Sequence, residues 1–247
     1  MNTEYQFRPA KTYFPERVIS ETKIHRKMKQ RILLKMTFLA LAIGVSSSLP
    51  AQVGVSADEA LVRLKQGNER FTEGKSVKPH QDFKRIKEVA AGQFPFATII
   101  GCSDSRVPNE IIFDQGVGDL FIVRTAGQVS TYASWGSIEF AEEILGTKLI
   151  VVLGHTQCGA VQAAVTLPEV PGHIVTLINA LKPAVEKAKE MHPHDLLDAS
   201  IRENIRIQVD QLRSLEPVLA RRVREHSIKI IGALYHLDTG VVEFLNY

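Results

Sequence analysis

The chain has 247 residues, 45% of them hydrophobic and 23% charged, which is ordinary globular usage and enough for one substantial core. Its net charge of +3 is unevenly placed: residues 1–35 hold nine Lys/Arg against three acids, so the rest of the chain is at −3. A mildly acidic body argues against nucleic acid as a partner.

The leader comes first. Residues 36–45 are an apolar run preceded by Arg31 and Lys35, and ten residues are too few to cross a bilayer, which needs about 20. They fit the apolar centre of a secretory signal peptide, followed by Ser46, Ser47 and Ser48 and by cleavage points after Ala51 or Ala57. The second point has small or aliphatic residues at both key positions, Val55 and Ala57, and is preferred. Residues 1–27 make a long positive region for such a signal, and Met28 would open a compact one. The expected organisation is a leader over 1–57 and a single folded domain over 58–247, exported, with the periplasm as its place. An uncleaved signal is the route by which it would be anchored to a membrane. The alternative is a basic tail followed by an amphipathic helix.

Ser56 can cap a helix over 56–73, with Ala60, Leu61, Leu64 and Phe71 at helical spacing. A polar connection with Pro79 leads to a short helix over 84–91. Residues 96–101 are nearly all apolar, as a strand buried on both faces must be. A short helix over 107–113, a glycine-bearing loop over 114–119 and a strand over 120–123 follow. Gly116 and Gly118 fall short of a nucleotide-binding fingerprint. A helix over 131–145 closes at Gly146, and a third strand over 148–153 leads into His155. Helices are expected over 159–166 and 174–191, the latter kinked or divided by Pro183. Residues 195–215 form an amphipathic helix with Ile201, Ile205, Val209 and Leu212 on one face. A basic helix over 216–225, a strand over 228–233 and a short strand over 240–245 complete the chain. The Asp238-Thr239-Gly240 turn allows the last two strands an antiparallel hairpin. The fold class is therefore α/β: a mainly parallel central sheet flanked by helices, with an antiparallel edge strand. Ligand crevices of such sheets lie beyond the carboxyl ends of the strands.

Two strand ends carry unusual side chains. The first runs into Gly101-Cys102-Ser103-Asp104-Ser105-Arg106, the second into Gly154-His155-Thr156-Gln157-Cys158-Gly159, and together they contain both cysteines of the chain. Zinc takes Cys sulfur and His nitrogen in tetrahedral geometry, and three protein ligands leave a fourth position for water, as in catalytic sites. Cys102, His155 and Cys158 supply such a set. Two buried thiols beside a chance histidine, or a disulfide between them, are the alternatives. Convergence of two strand ends on soft ligands favours the metal. Asp104 is placed to reach the fourth position or to hydrogen-bond whatever sits there, and Arg106 can grip its carboxylate bidentately, keeping it ionised and fixed. A zinc-activated water beside an oriented carboxylate suggests hydroxide chemistry. The other histidines, such as His80, His192, His194 and His226, read as solvated surface groups.

The two motifs closely resemble the signatures of beta-class carbonic anhydrases, and the resemblance extends from about Ala57 to Tyr247. It implies reversible hydration of CO2 to bicarbonate and a proton by attack of zinc-bound hydroxide. One Zn2+ per subunit would be held by Cys102, His155 and Cys158. Asp104 and Arg106 match the family's dyad; in the closed form of some members that Asp leaves its Arg for the fourth zinc position. The resemblance also implies substrate-site roles for Gln93 (a bicarbonate donor), Phe121 (a wall of the CO2 pocket), Phe140 (a position that reaches across a dimer interface, usually Tyr) and Gly159 (a close backbone approach). A homodimer or higher even homo-oligomer is expected. Two positions depart from the family. Ile99 stands where members inhibited by bicarbonate at a secondary site carry tryptophan, so that regulation is expected to be absent or altered. Thr125 follows Arg124 where asparagine is usual. The competing readings are a hydrolase of carbon disulfide or carbonyl sulfide on the same scaffold, a non-catalytic zinc protein, and a rhodanese-like thiol enzyme.

Overall fold

The computed structural model describes residues 54–246; the apolar run, Met28 and the cleavage point after Ala51 lie outside the described residues. Five strands form one sheet in the order β2-β1-β3-β4-β5: β1 (Ala97–Cys102), β2 (Leu120–Thr125), β3 (Leu149–His155), β4 (Lys229–Tyr235) and β5 (Val242–Leu245). The first four run parallel, and β5 pairs antiparallel with β4 through the expected hairpin. β1 and β3 are buried along their whole lengths, which is why both read as unbroken apolar runs rather than as alternating ones.

Each face of the sheet has its own core. On one face Ile100, Ile150, Val152, Ile230 and Leu234 meet α4 (Tyr132–Glu143), α5 (Gly159–Thr166), α6 (Ile174–Glu190), α7 (Leu196–Arg213) and α8 (Leu219–Arg224). The anticipated stripe of Ile201, Ile205, Val209 and Leu212 is the buried face of α7. On the other face Ile99, Leu149, Val151, Leu153 and Ala233 are covered by α1 (Ala57–Thr72) and α3 (Asn109–Ile112). Helix α2 (Phe83–Val89) has no buried residue.

Close approach fixes the seat of α1. A Cβ on Gly67 would lie 1.8 Å from the carbonyl oxygen of Phe113, so no other residue fits there without moving the helix. The next residue, Asn68, is 6% exposed and donates to the carbonyls of Ile112 and Gly240 while accepting from the Val242 N–H. One carboxamide thus ties α1 to α3 and to the β4–β5 turn. The start of α1 also bears on the leader: Ser56 caps it by accepting from the Glu59 N–H at 3.2 Å, and Val55 packs against the core beneath it.

Two expectations are corrected. Pro183 does not divide its helix; α6 runs continuously through it. The ring deprives the Asn179 carbonyl of its helical partner, but Asn179 and Pro183 both lie on the exposed side, where water can take that role. The basic helix begins at Leu219 rather than at residue 216, because Pro217 and its neighbours form a turn first. Strand ends shift as well. β1 continues to Cys102 and β3 to His155, each held by pairing with a neighbour, Cys102 with Thr125 and His155 with Tyr235. The candidate ligands are therefore the last residues of strands and share the rigidity of the sheet.

Candidate metal centre

β1 and β3 are neighbours in the middle of the sheet, with Gly101 opposite Leu153, so their carboxyl ends lie side by side. After His155 the chain turns sharply: the Thr156 N–H bonds back to the Tyr235 carbonyl and Gln157 takes a φ of 54°. Cys158 follows as the residue that caps α5. These local conformations bring the Cys102, His155 and Cys158 ligand atoms within 4.8 Å of one another, all three residues being buried.

The protonation pattern suits a cation. His155 Nδ1 lies 2.8 Å from the Thr156 carbonyl oxygen. A carbonyl only accepts, so Nδ1 carries the hydrogen and Nε2 presents a lone pair. That Nε2 is buried and has no hydrogen-bond partner among the described residues. An orphan acceptor of this kind beside two sulfurs fits a borderline-soft metal such as zinc. A hydrogen bond from the Cys158 thiol lowers Cys102, against the opposing effect of burial, with help from the Gly127 N–H. Cys158 is pushed up by that same bond and by its own burial. The Gly127 N–H donates to Cys102 Sγ at 3.2 Å.

Beside the ligands stands Asp104. Arg106 grips it through Nε to Oδ1 at 2.9 Å and Nη2 to Oδ2 at 2.8 Å, and the Arg106 backbone N–H adds a third bond to Oδ1. The guanidinium holds this carboxyl well below the usual carboxylate range. Asp104 Oδ2 is 3.8 Å from His155 Nε2, so the carboxylate edges the space that the ligand nitrogen faces. Arg106 Nη2 also approaches the Gln157 carbonyl at 3.5 Å, linking the two motifs.

Sequence reading passed over three residues that hold this arrangement. Arg124 donates to the carbonyls of Cys102 (2.9 Å) and Asp104 (2.7 Å), pinning the loop that carries the carboxylate. Gly127 is the sulfur's donor, and Asn204 of α7 donates to the Gly127 carbonyl at 2.9 Å. Arg124 closes an apolar strand, and an arginine there was a signal in plain view; the other two act through the backbone. Thr125, the unusual residue next to Arg124, spends its hydroxyl on the Val129 carbonyl at 2.6 Å and so braces the turn that contains Gly127.

The remaining site residues are placed as follows. Gly159 opens α5 directly after Cys158, and a Cβ there would meet open space. Gln93 is exposed and precedes β1, whereas Cys102 ends it; the strand alone spans roughly 16 Å. Phe121 pairs with Thr98 near the start of the same ladder. Phe140 lies on α4 and is 46% exposed. A single chain does not bring Gln93 or Phe121 to the sulfurs. Ile99 is fully buried in β1. His80 is exposed, as expected of a solvated group, and its Nδ1 lies 2.7 Å from Asp119.

The carbonic anhydrase family profile matches residues 97–242. The chain is 42% identical over 183 residues to carbonic anhydrase 2 of Mycobacterium tuberculosis, covering 72% of this chain and 87% of that protein. It is 38% identical over 188 residues to a carbonic anhydrase of Mycolicibacterium smegmatis, covering 74% and 91%. Among solved structures it resembles one of two tetrameric beta-carbonic anhydrases of the ascomycete Sordaria macrospora, with a TM-score of 0.62, 25% identity and coverage of 74% and 94%.

Proposed function

The chain belongs to the beta-carbonic anhydrase family, and on that footing we propose how its own residues carry out the reversible hydration of CO2 to bicarbonate and a proton. The enzyme is a zinc lyase. The observation that carries the reading is the buried, unpartnered Nε2 of His155, set between two sulfurs and a carboxylate that Arg106 has already oriented. Cys102, His155 and Cys158 would hold zinc, which when bound supplies a Lewis acid that brings the ionisation of water into the neutral range. Asp104 is ionised and can only accept hydrogen bonds. A reacting water beside it must point a hydrogen at Oδ2, which leaves an oxygen lone pair free to face CO2. Arg106 keeps Oδ1 and Oδ2 in that orientation and away from the ligand cluster. Gly159, with open space over its Cα, lets substrate approach the backbone at the head of α5.

Gln93, Phe121 and Phe140 are assigned to the substrate site of a second subunit, in a homodimer or higher even homo-oligomer. The positions of Gln93 and Phe121 away from their own chain's sulfurs support this, as does the exposure of Phe140 and Tyr132 (88%) on one helix. The apolar Ile99 supports a site without the secondary bicarbonate switch. We further propose export to the periplasm. The run over 36–45 between Lys35 and Ser46 supports it. Val55 and Ser56, which pack and cap α1, favour cleavage after Ala51 over cleavage after Ala57. Among the described residues no helix is long and apolar enough to cross a membrane.

Stopped-flow CO2 hydration by the wild type and Asp104→Ala, with zinc quantified in both, tests the mechanism. The variant is expected to keep its zinc and lose on the order of 10²-fold in kcat; equal activity would refute the role of Asp104.

A further inference from the structure

We propose that Asn204, on the helix packed behind the metal site, is a positioning residue that aims the Gly127 N–H at the Cys102 sulfur and so sets how firmly that ligand holds zinc. The proposal rests on reading Cys102 as a zinc ligand. Asn204 is 1% exposed and reaches neither the ligand cluster nor the substrate space; its Nδ2 donates to the Gly127 carbonyl at 2.9 Å. Gly127 passes the effect on, since its N–H is 3.2 Å from Cys102 Sγ.

Gly127 needs such a hold. It sits at φ 69°, ψ 20°, a left-handed conformation, where a Cβ would lie 3.1 Å from Leu181 and 3.3 Å from Ala160. Glycine takes that conformation without steric cost, but glycine also leaves it more easily than any other residue. The direction of its N–H must therefore come from the neighbours. Three bonds brace the turn: Thr125 Oγ1 to the Val129 carbonyl, the Ser130 N–H to Gln208 Oε1 one helical turn beyond Asn204, and Asn204 to Gly127. Only the third engages the residue that bonds the sulfur. An N–H directed at a thiolate draws charge from it and fixes its orientation, and outer-shell partners of this kind are typically worth 10–100-fold in metal affinity. A plain helix-to-loop tie would affect stability alone.

The two roles separate in Asn204→Ala and Asn204→Leu. The leucine keeps the branched shape of the side chain but has no hydrogen to donate, so it carries the test even if the alanine variant fails to fold. Zinc dissociation constants are measured by chelator competition, and the thiolate-to-metal charge-transfer absorption is recorded with Co2+ in place of zinc. Both variants are expected to raise the zinc Kd about 10-fold or more and to shift the cobalt band. Val209→Ala, a cavity at a fully buried position of the same helix, is expected to lower the melting temperature and move neither. A zinc Kd within about twofold of wild type and an unmoved band in Asn204→Leu would overturn the proposal, as would equal shifts in Val209→Ala. A wild-type chain that bound no zinc would overturn the metal-site reading itself, whereas normal zinc binding in both proteins would remove only the role given to Asn204.

Discussion

Arg106 decides where the Asp104 carboxylate points. Its side chain is more than half exposed, so the ion pair contributes little to stability, and its value lies in direction. Two parallel N–H bonds fix the plane of the carboxylate as well as its position, which a single point charge does not do. Arg106→Ala should therefore leave zinc content and melting temperature near wild type while kcat/KM for CO2 hydration falls on the order of 10²-fold. Arg106→Lys should restore only a small part of the loss, because an ammonium cannot take both oxygens in the same plane. Zinc quantification beside stopped-flow rates checks both expectations; full activity in the lysine variant would show that charge alone is needed.

Elements are locked together by a few buried polar groups, and Asp114 is the clearest. It follows α3 with a φ of 46°, is 2% exposed, and accepts from Arg70 of α1 (2.6 Å) and from the N–H groups of Val77 and Lys78. Burial alone would raise its carboxyl; the guanidinium and the two N–H groups outweigh burial and lower it. A folded-state value below the unfolded one of about 3.9 gives stability that is present in full above that value and lost as the pH falls through the folded one. Asp114→Asn should cost about 1–3 kcal/mol at neutral pH. The gap to wild type should close as both are acidified below about pH 4. Urea unfolding at several pH values measures the two curves, and a constant gap would exclude ionisation of Asp114 as the cause.

At the scale of the molecule, the exposed aromatic and aliphatic side chains call for a covering surface. Phe140 and Tyr132 lie on α4, Ile144 directly follows it, and Phe94 (62% exposed) follows Gln93 on the approach to β1. If another copy of the chain covers them, light scattering gives an even multiple of the subunit mass. Phe140→Glu should then shift the distribution toward smaller species and reduce CO2 hydration in step, although it touches none of its own chain's ligands. A second expectation concerns the metal. Three ligands that converge only in the folded chain make zinc a folding ligand, worth about 4 kcal/mol at a thousandfold excess over its Kd. Chelation should lower the melting temperature and make Cys102 and Cys158 reactive toward a thiol reagent, which calorimetry and thiol titration can follow.

Much of the site was legible because its signals are local. Ile99 to Cys102 and Leu149 to His155 are apolar runs that stop at ligand residues, and a buried strand with a reactive end looks the same before and after folding. The spacing of Asp104 and Arg106 likewise anticipated an ion pair that two residues of separation make easy to form. Pro183 left open whether its helix would be kinked or divided, since the sequence does not say which side of a helix will face water; it is not divided. The α/β class and the convergence of Cys102, His155 and Cys158 into a group that could hold a metal were thus determined by the sequence alone. Tertiary structure decided what depends on distant segments. The adjacency of β1 and β3 places the two motifs together, and α7 delivers Asn204 to Gly127. It also left Gln93 and Phe121 near the other end of the sheet from Cys102. The division has a physical reason: periodicity and ligand spacing are properties of neighbouring residues, whereas the direction of a hydrogen bond across the core exists only once the chain has packed.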